Sequence, residues 1–269
     1  MKGVLFMIIN TDVPDYLYHY TSVETLEKIL ENKTIRFSSL INVDDTEEIL
    51  TASGSNFGKY CFVSSWTDIE EESIPFWSEY TKDMTGVRIK LHTLPFYTNR
   101  VINQHYCNGV PFDTYYPKEL FERDNICCYY MMPFCRKVQY TNDINKIRIP
   151  DIIQADYVGD SKYKNIQANF MEIGKYKSKC WAFQSEWRYC MFFIPVDMNV
   201  GNVNLDTSPN NLNLDFTYYD VPISKKDFNN MEIVLGPKMS VENKKRVIDK
   251  VTMFCPTANV CESQLKIKL

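Results

Sequence analysis

From Tyr16 to Tyr20 the chain alternates with the period of a β-strand, placing Leu17, His19 and Thr21 on one face and Tyr16, Tyr18 and Tyr20 on the other. The period then changes. Val23, Leu26, Ile29 and Leu30 share one stripe at helical spacing, and Thr21 followed three residues later by Glu24 reads as a capping box that starts the helix. Thr34–Ser38 and Tyr60–Ser64 predict two further strands, and the acidic stretch between them, with Asp44, Asp45, Glu47 and Glu48, reads as a loop or a helix start. A short helix is expected over Glu72–Tyr80, beginning near Pro75. After a turn at Gly86, Val87–Leu91 alternates again as a strand.

Farther along, Arg136–Tyr140 has strand character and 96–130 gives no regular period. Residues 161–180 read as helical. Glu186–Phe193 is an aromatic, β-favouring run closed by Pro195, and its alternation sets Gln184, Glu186 and Arg188 against Trp187, Tyr189 and Met191. Met231–Leu235 predicts a strand ended by Gly236-Pro237, and Ser240 caps an amphipathic helix running to about Val251. Interspersed strands and helices give an α+β class: a mixed, mainly antiparallel, twisted sheet with flanking helices. No internal repeat, Gly/Ser-rich tract or single-charge run divides the chain, so residues 1–269 are expected to form a single domain.

Composition narrows the function classes. With 30 basic and 34 acidic residues, the net charge of -4 supplies no broad positive field for a nucleic-acid backbone, although a local basic groove is compatible with it. Lys2 followed by Val4–Ile9 is too short for a signal-peptide core, and no apolar run has the length of a membrane span, which points to the cytoplasm and away from a membrane. The nine cysteines are then expected as thiols. His105, Cys107, Cys127, Cys128 and Cys135 cluster in sequence without the spacing of a zinc site, so no metal is expected. The phosphate-binding loop, the dinucleotide fingerprint and the nucleophile elbow are all missing, which excludes the common kinases, dehydrogenases and α/β-hydrolases.

Two places could carry chemistry. His19 lies on a strand that runs straight into a helix, and it either bonds within the core or faces a ligand. Glu186 sits in an apolar strand and must be satisfied, either by Arg188 on the same face or by a substrate. A Gln-x-Glu face suits a sugar hydroxyl, and a fixed carboxylate stabilises positive charge as a glycosidic bond breaks. Trp77 and Tyr80, three apart on a helix, offer a ring to a planar heterocycle or fill the core. Ser64 and Ser65 end a strand and either contact a ligand or begin a turn.

The chain resembles a bacterial family known as domain of unknown function 2971. The resemblance lies in Leu17-Tyr18-His19-Tyr20-Thr21-Ser22 with Leu26 and Ile29-Leu30, in Phe37-Ser38, in Asn42 with Asp44-Asp45 and Glu47, and in Cys61-Phe62. It continues through Trp77–Tyr80, Gly86-Val87, Glu186-Trp187-Arg188 and Ile233-Val234-Leu235-Gly236-Pro237. The opening block also resembles the first motif of ADP-ribosyltransferases, and Gln184-Ser185-Glu186 resembles their Gln-x-Glu motif. That resemblance implies a split sheet, NAD as substrate and an unknown macromolecular acceptor, in the manner of a toxin or anti-phage effector. It further implies catalytic roles for Glu186, Gln184 and His19. His19 would bond NAD, Tyr80 or Trp77 would stack on nicotinamide, and Gln184 would position the acceptor. Tyr20, Thr21, Ser64 and Arg188 complete the implied NAD-binding set. The middle motif is represented only by Ser64-Ser65 and the Trp77/Tyr80 pair. The competing reading is a module that binds a nucleotide or a partner without turnover.

Overall fold

A computed structural model describes residues 13–52, 54, 56–104, 108–123, 125–148, 153–157, 164–168, 170–195 and 214–267. His105, Cys107 and the segment Val4–Ile9 lie outside them. In chain order the first elements are β1 (Tyr16–Thr21), α1 (Val23–Asn32), β2 (Thr34–Ser39), β3 (Cys61–Thr67), α2 (Ile74–Tyr80) and β4 (Val87–His92). The middle of the chain supplies β5 (Asn99–Val101), β6 (Phe112–Thr114), β7 (Ile126–Lys137), β8 (Gln139–Thr141), α3 (Ile144–Ile147), β9 (Ile153–Tyr157), β10 (Lys164–Ala168) and β11 (Tyr176–Ser178). Then come β12 (Glu186–Pro195), β13 (Tyr218–Pro222), α4 (Lys225–Asn229), β14 (Glu232–Leu235), α5 (Val241–Phe254) and β15 (Asn259–Glu262).

Among the described residues, nine strands form one mixed sheet. One arm is β13-β2-β3 with β12 and β7 continuing from β3, and the other is β1-β4-β14-β15; every pairing is antiparallel except that of β14 with β15. The arms meet where β1 touches β3 at Tyr18 opposite Thr67. On that same side of β3, β2 pairs with Phe62 and Val63. On this side the stretch Ser64–Trp66, between the two neighbours, has no strand partner among the described residues, although β12 pairs with it on the other side, so the sheet splits there.

The reasons are local. Leu17, Phe37, Phe62, Ile89, Met191 and Phe193 bury the apolar face of their strands in one core, joined by Val23, Leu26, Ile29 and Leu30 of α1 and by Val247 and Val251 of α5. Ser240 caps α5 by accepting the Asn243 N–H, as expected. For α1 the cap is Ser22, whose Oγ accepts the Thr25 N–H at 3.2 Å, and not Thr21, which remains in β1. Gly86 is required where β4 begins, because a Cβ there would lie 2.1 Å from the Thr21 carbonyl oxygen.

Residues 161–180 depart from their helical reading: they contain β10, β11 and single 3₁₀ turns. β10 pairs with β9 and β11 pairs with β8, so tertiary pairing overrides a weak helical period. The unassigned stretch 96–130 holds a small β5–β6 ribbon and the start of β7. Among the described residues no helix is long and apolar enough to cross a membrane.

Candidate functional site

The split opens a cleft of about 230 Å³. β1 contributes Tyr18, His19 and Tyr20, and β3 contributes Ser65 and Trp66. From across the cleft come Lys177, Gln184, Glu186 and Arg188, with Phe76 and Tyr80 of α2 and residues 42–44 beside them. The structure therefore brings His19 together with Gln184-Ser185-Glu186, although more than 160 residues separate them in sequence.

His19 fills the gap in the sheet. Its Nδ1 lies 2.9 Å from the Ser65 carbonyl oxygen. A carbonyl only accepts, so Nδ1 carries the hydrogen and Nε2 is left with a lone pair. Burial lowers the pKa of the ring and outweighs the Ser65 bond, which raises it. His19 is therefore a neutral imidazole offering an acceptor, packed against Trp66 with ring centroids 5.0 Å apart.

Glu186 is held from several directions. Arg188 Nε donates to its Oε1 at 2.6 Å, and Arg188 Nη2 and Lys177 Nζ donate to its Oε2 at 3.1 and 3.3 Å. Arg188 also donates through both terminal nitrogens to Glu48, giving a buried chain of alternating charge: Glu48, Arg188, Glu186, Lys177. Burial pushes the Glu186 carboxyl up, but Arg188 and then Lys177 outweigh it and hold the group at about 2. The same-face pair with Arg188 is thus real, and the paired carboxylate also borders the cleft.

Backbone geometry makes this possible. Gln184 closes a 3₁₀ turn (179–184) and does not lie on the strand, while Ser185 takes a left-handed conformation with φ 39°. Ser185 Oγ donates to Asp68 at 2.6 Å, and Asp68 also accepts from Trp187 Nε1 and Lys137 Nζ. This anchor holds the bend between Gln184 and Glu186 so that both border the cleft. Arg188 Nη1 also donates to the carbonyl oxygen of Gly174, a residue at φ 65°, at 3.0 Å. A Cβ at Gly174 would lie 3.1 Å from that nitrogen.

Three members of the expected set sit elsewhere. Trp77 is fully buried, with its Nε1 donating to Glu72 at 3.0 Å and its ring perpendicular to that of Tyr20, and it does not border the cleft. Ser64 accepts the Trp66 Nε1 hydrogen at 2.9 Å and borders a separate cavity of about 130 Å³ between α1 and β2. Thr21 is buried at the end of β1 and does not border the cleft. Tyr20 does border it, though its Oη is already accepting the Ser73 N–H at 3.2 Å and its ring stacks on Phe76.

Sequence reasoning missed Lys177, Glu48 and Asp68. Lys177 is the middle one of three alternating lysines, with Lys175 and Lys179, and Glu48 read as one of several loop acids. A buried carboxylate such as Glu186 signals that a cation must be near, but nothing local says which one. Asp44 borders the cleft, whereas Arg36 pairs with Asp220 away from it at 2.8 Å. Among the described residues, no three His, Cys, Asp or Glu side chains converge as metal ligands would.

The model of a family described as protein of unknown function (DUF2971) matches residues 76–189. The DUF2971 match takes in Tyr80, Lys177, Gln184, Glu186 and Arg188 and leaves His19 and β1 outside, so it is shorter than the order of sequence blocks implies. Two solved structures of DarT from Thermus sp. 2.9 are similar to this chain. The one in complex with NAD+ aligns with 95% of this chain and 98% of its own at 12% identity and a TM-score of 0.33. The one in complex with carba-NAD+ aligns with 94% and 97% at 10% identity and a TM-score of 0.30. The comparison with curated proteins finds no match.

Proposed function

We propose that this chain is an ADP-ribosyltransferase-like enzyme that binds NAD in the cleft of the split sheet and transfers ADP-ribose to a macromolecular acceptor, a protein or a nucleic acid. The observation that carries the reading is the single cleft shared by a neutral, acceptor His19 and an ionised Glu186. A ribose presents vicinal hydroxyls, and these two side chains supply hydrogen-bond acceptors for them. The carbon–nitrogen bond to nicotinamide breaks with its electron pair going to the ring. The acceptor atom bonds to the ribose carbon and releases its proton to solvent. Because Arg188 and Lys177 hold Glu186, its carboxylate is positioned before substrate arrives and needs no reorganisation as positive charge develops.

One observation favours the alternative of a binding module without turnover: both oxygens of Glu186 already have partners. The deciding experiment incubates the protein and a Glu186→Gln variant with labelled NAD and a cell lysate, following nicotinamide release and label transfer. Enzyme activity predicts turnover that falls about 10²–10³-fold in the variant, and the labelled species identifies the acceptor. Full activity of Glu186→Gln defeats the enzyme reading, and tight NAD binding without product selects the module.

A further inference from the structure

Lys177, Gln184 and Tyr80 form a hydrogen-bond chain whose direction is fixed by its first member. The ammonium of Lys177 can only donate, and its Nζ lies 2.9 Å from Gln184 Oε1. That contact sets the carboxamide so that Gln184 Nε2 donates to Tyr80 Oη. The phenol oxygen is thereby an acceptor within the protein, and among the described residues no protein acceptor takes its own hydrogen. Tyr80 borders the cleft beside Glu186. Burial, reinforced by Glu79, raises the Tyr80 pKa well above 10, which keeps that hydrogen on the oxygen.

We infer that Tyr80 acts on a bound molecule through its hydroxyl, as a donor to a carbonyl oxygen on a planar heterocycle, and that Lys177 is the positioning residue that points the donor outward. The inference rests on the NAD reading, in which the carbonyl is that of the nicotinamide carboxamide. It replaces a stacking role for Tyr80 with a polar one. Donors in series from a cation polarise one another, so the terminal O–H is a stronger donor than an isolated phenol.

The test measures binding of NAD, of its 3-acetylpyridine analogue, which keeps the carbonyl oxygen, and of thio-NAD, in which sulfur is a weak acceptor. Wild type is expected to bind the two carbonyl forms alike and thio-NAD more weakly. Tyr80→Phe removes the donor and keeps the ring, so NAD binding should weaken about tenfold, the worth of one hydrogen bond, and the preference over thio-NAD should vanish. Gln184→Glu keeps the size but presents a carboxylate that takes the Tyr80 hydrogen for itself, and it should reproduce the Tyr80→Phe result. Wild-type affinity and preference in Tyr80→Phe overturn the inference.

Absence of NAD binding in the wild type brings down the NAD reading separately. The relay is then judged in the ligand-free protein from the side-chain amide ¹⁵N–¹H signals of Gln184. These signals should shift in Tyr80→Phe, and their staying in place overturns the relay itself.

Discussion

The two arms of the sheet handle charge in opposite ways. Against the arm of β3, β12 and β7, Arg188 and Glu186 of β12 join Glu48 and Lys177 in a buried, neutral chain of four charges, with side chains no more than 5% exposed. Beside the other arm, α1 and α5 meet through Arg246–Glu27 and Lys250–Glu31 at the surface. Solvent makes the difference. Water screens the helix pairs and would solvate either partner alone, whereas each buried charge depends wholly on its neighbours. The buried chain therefore couples stability to the candidate site, and the surface pairs do not.

The sharpest way to break that contrast is Arg188→Met. It leaves Glu48 and Glu186 buried without their shared cation, and urea denaturation should show a loss of about 3–5 kcal/mol. A loss as small as that of a surface substitution would remove the distinction between the arms.

Acid titration comes next. Glu186 stands at about 2 in the folded protein, below its ordinary value of 4.5, so the stability from its ionisation is fully present above about pH 4.5 and is lost as pH falls toward about 2. Denaturation midpoints measured through that window should fall in the wild type and fall less in Glu186→Gln; parallel curves would show that Glu186 is not the linked group.

Gly174→Ala tests the contrast more gently. Its left-handed backbone and its closeness to Arg188 predict a loss of about 1–2 kcal/mol in the same denaturation measurement. The smallest effect belongs to the surface. Arg246→Ala should leave the denaturation midpoint within error of wild type, and a clear shift would show that the α1–α5 pairs carry stability after all.

Much of this was legible in the chain because strand alternation, helical stripes and the Ser240 cap act over a few residues. β1, α1, β3, β4, β12 and α5 follow from such signals, and the residue types single out His19 and Glu186, which the structure brings to one cleft. Legibility fails where the signal is ambiguous by nature. An aromatic pair three apart on a helix satisfies core and cleft alike, and the structure divides it, placing Trp77 inside and Tyr80 at the cleft. Ser64 and Ser65 alternate in facing, and only the position of the split decides that Ser65 borders the cleft.

By itself, then, the sequence determined the elements and the chemical types available, since backbone preference and periodic burial are local properties. The tertiary structure decided the partners. Glu48 reaches Arg188 across 140 positions, Asp68 reaches Ser185 across 117, and Lys177 finds both Gln184 and Glu186. A buried charge demands compensation in any fold, but which residue supplies it depends on where a split sheet leaves room, and no local pattern carries that information.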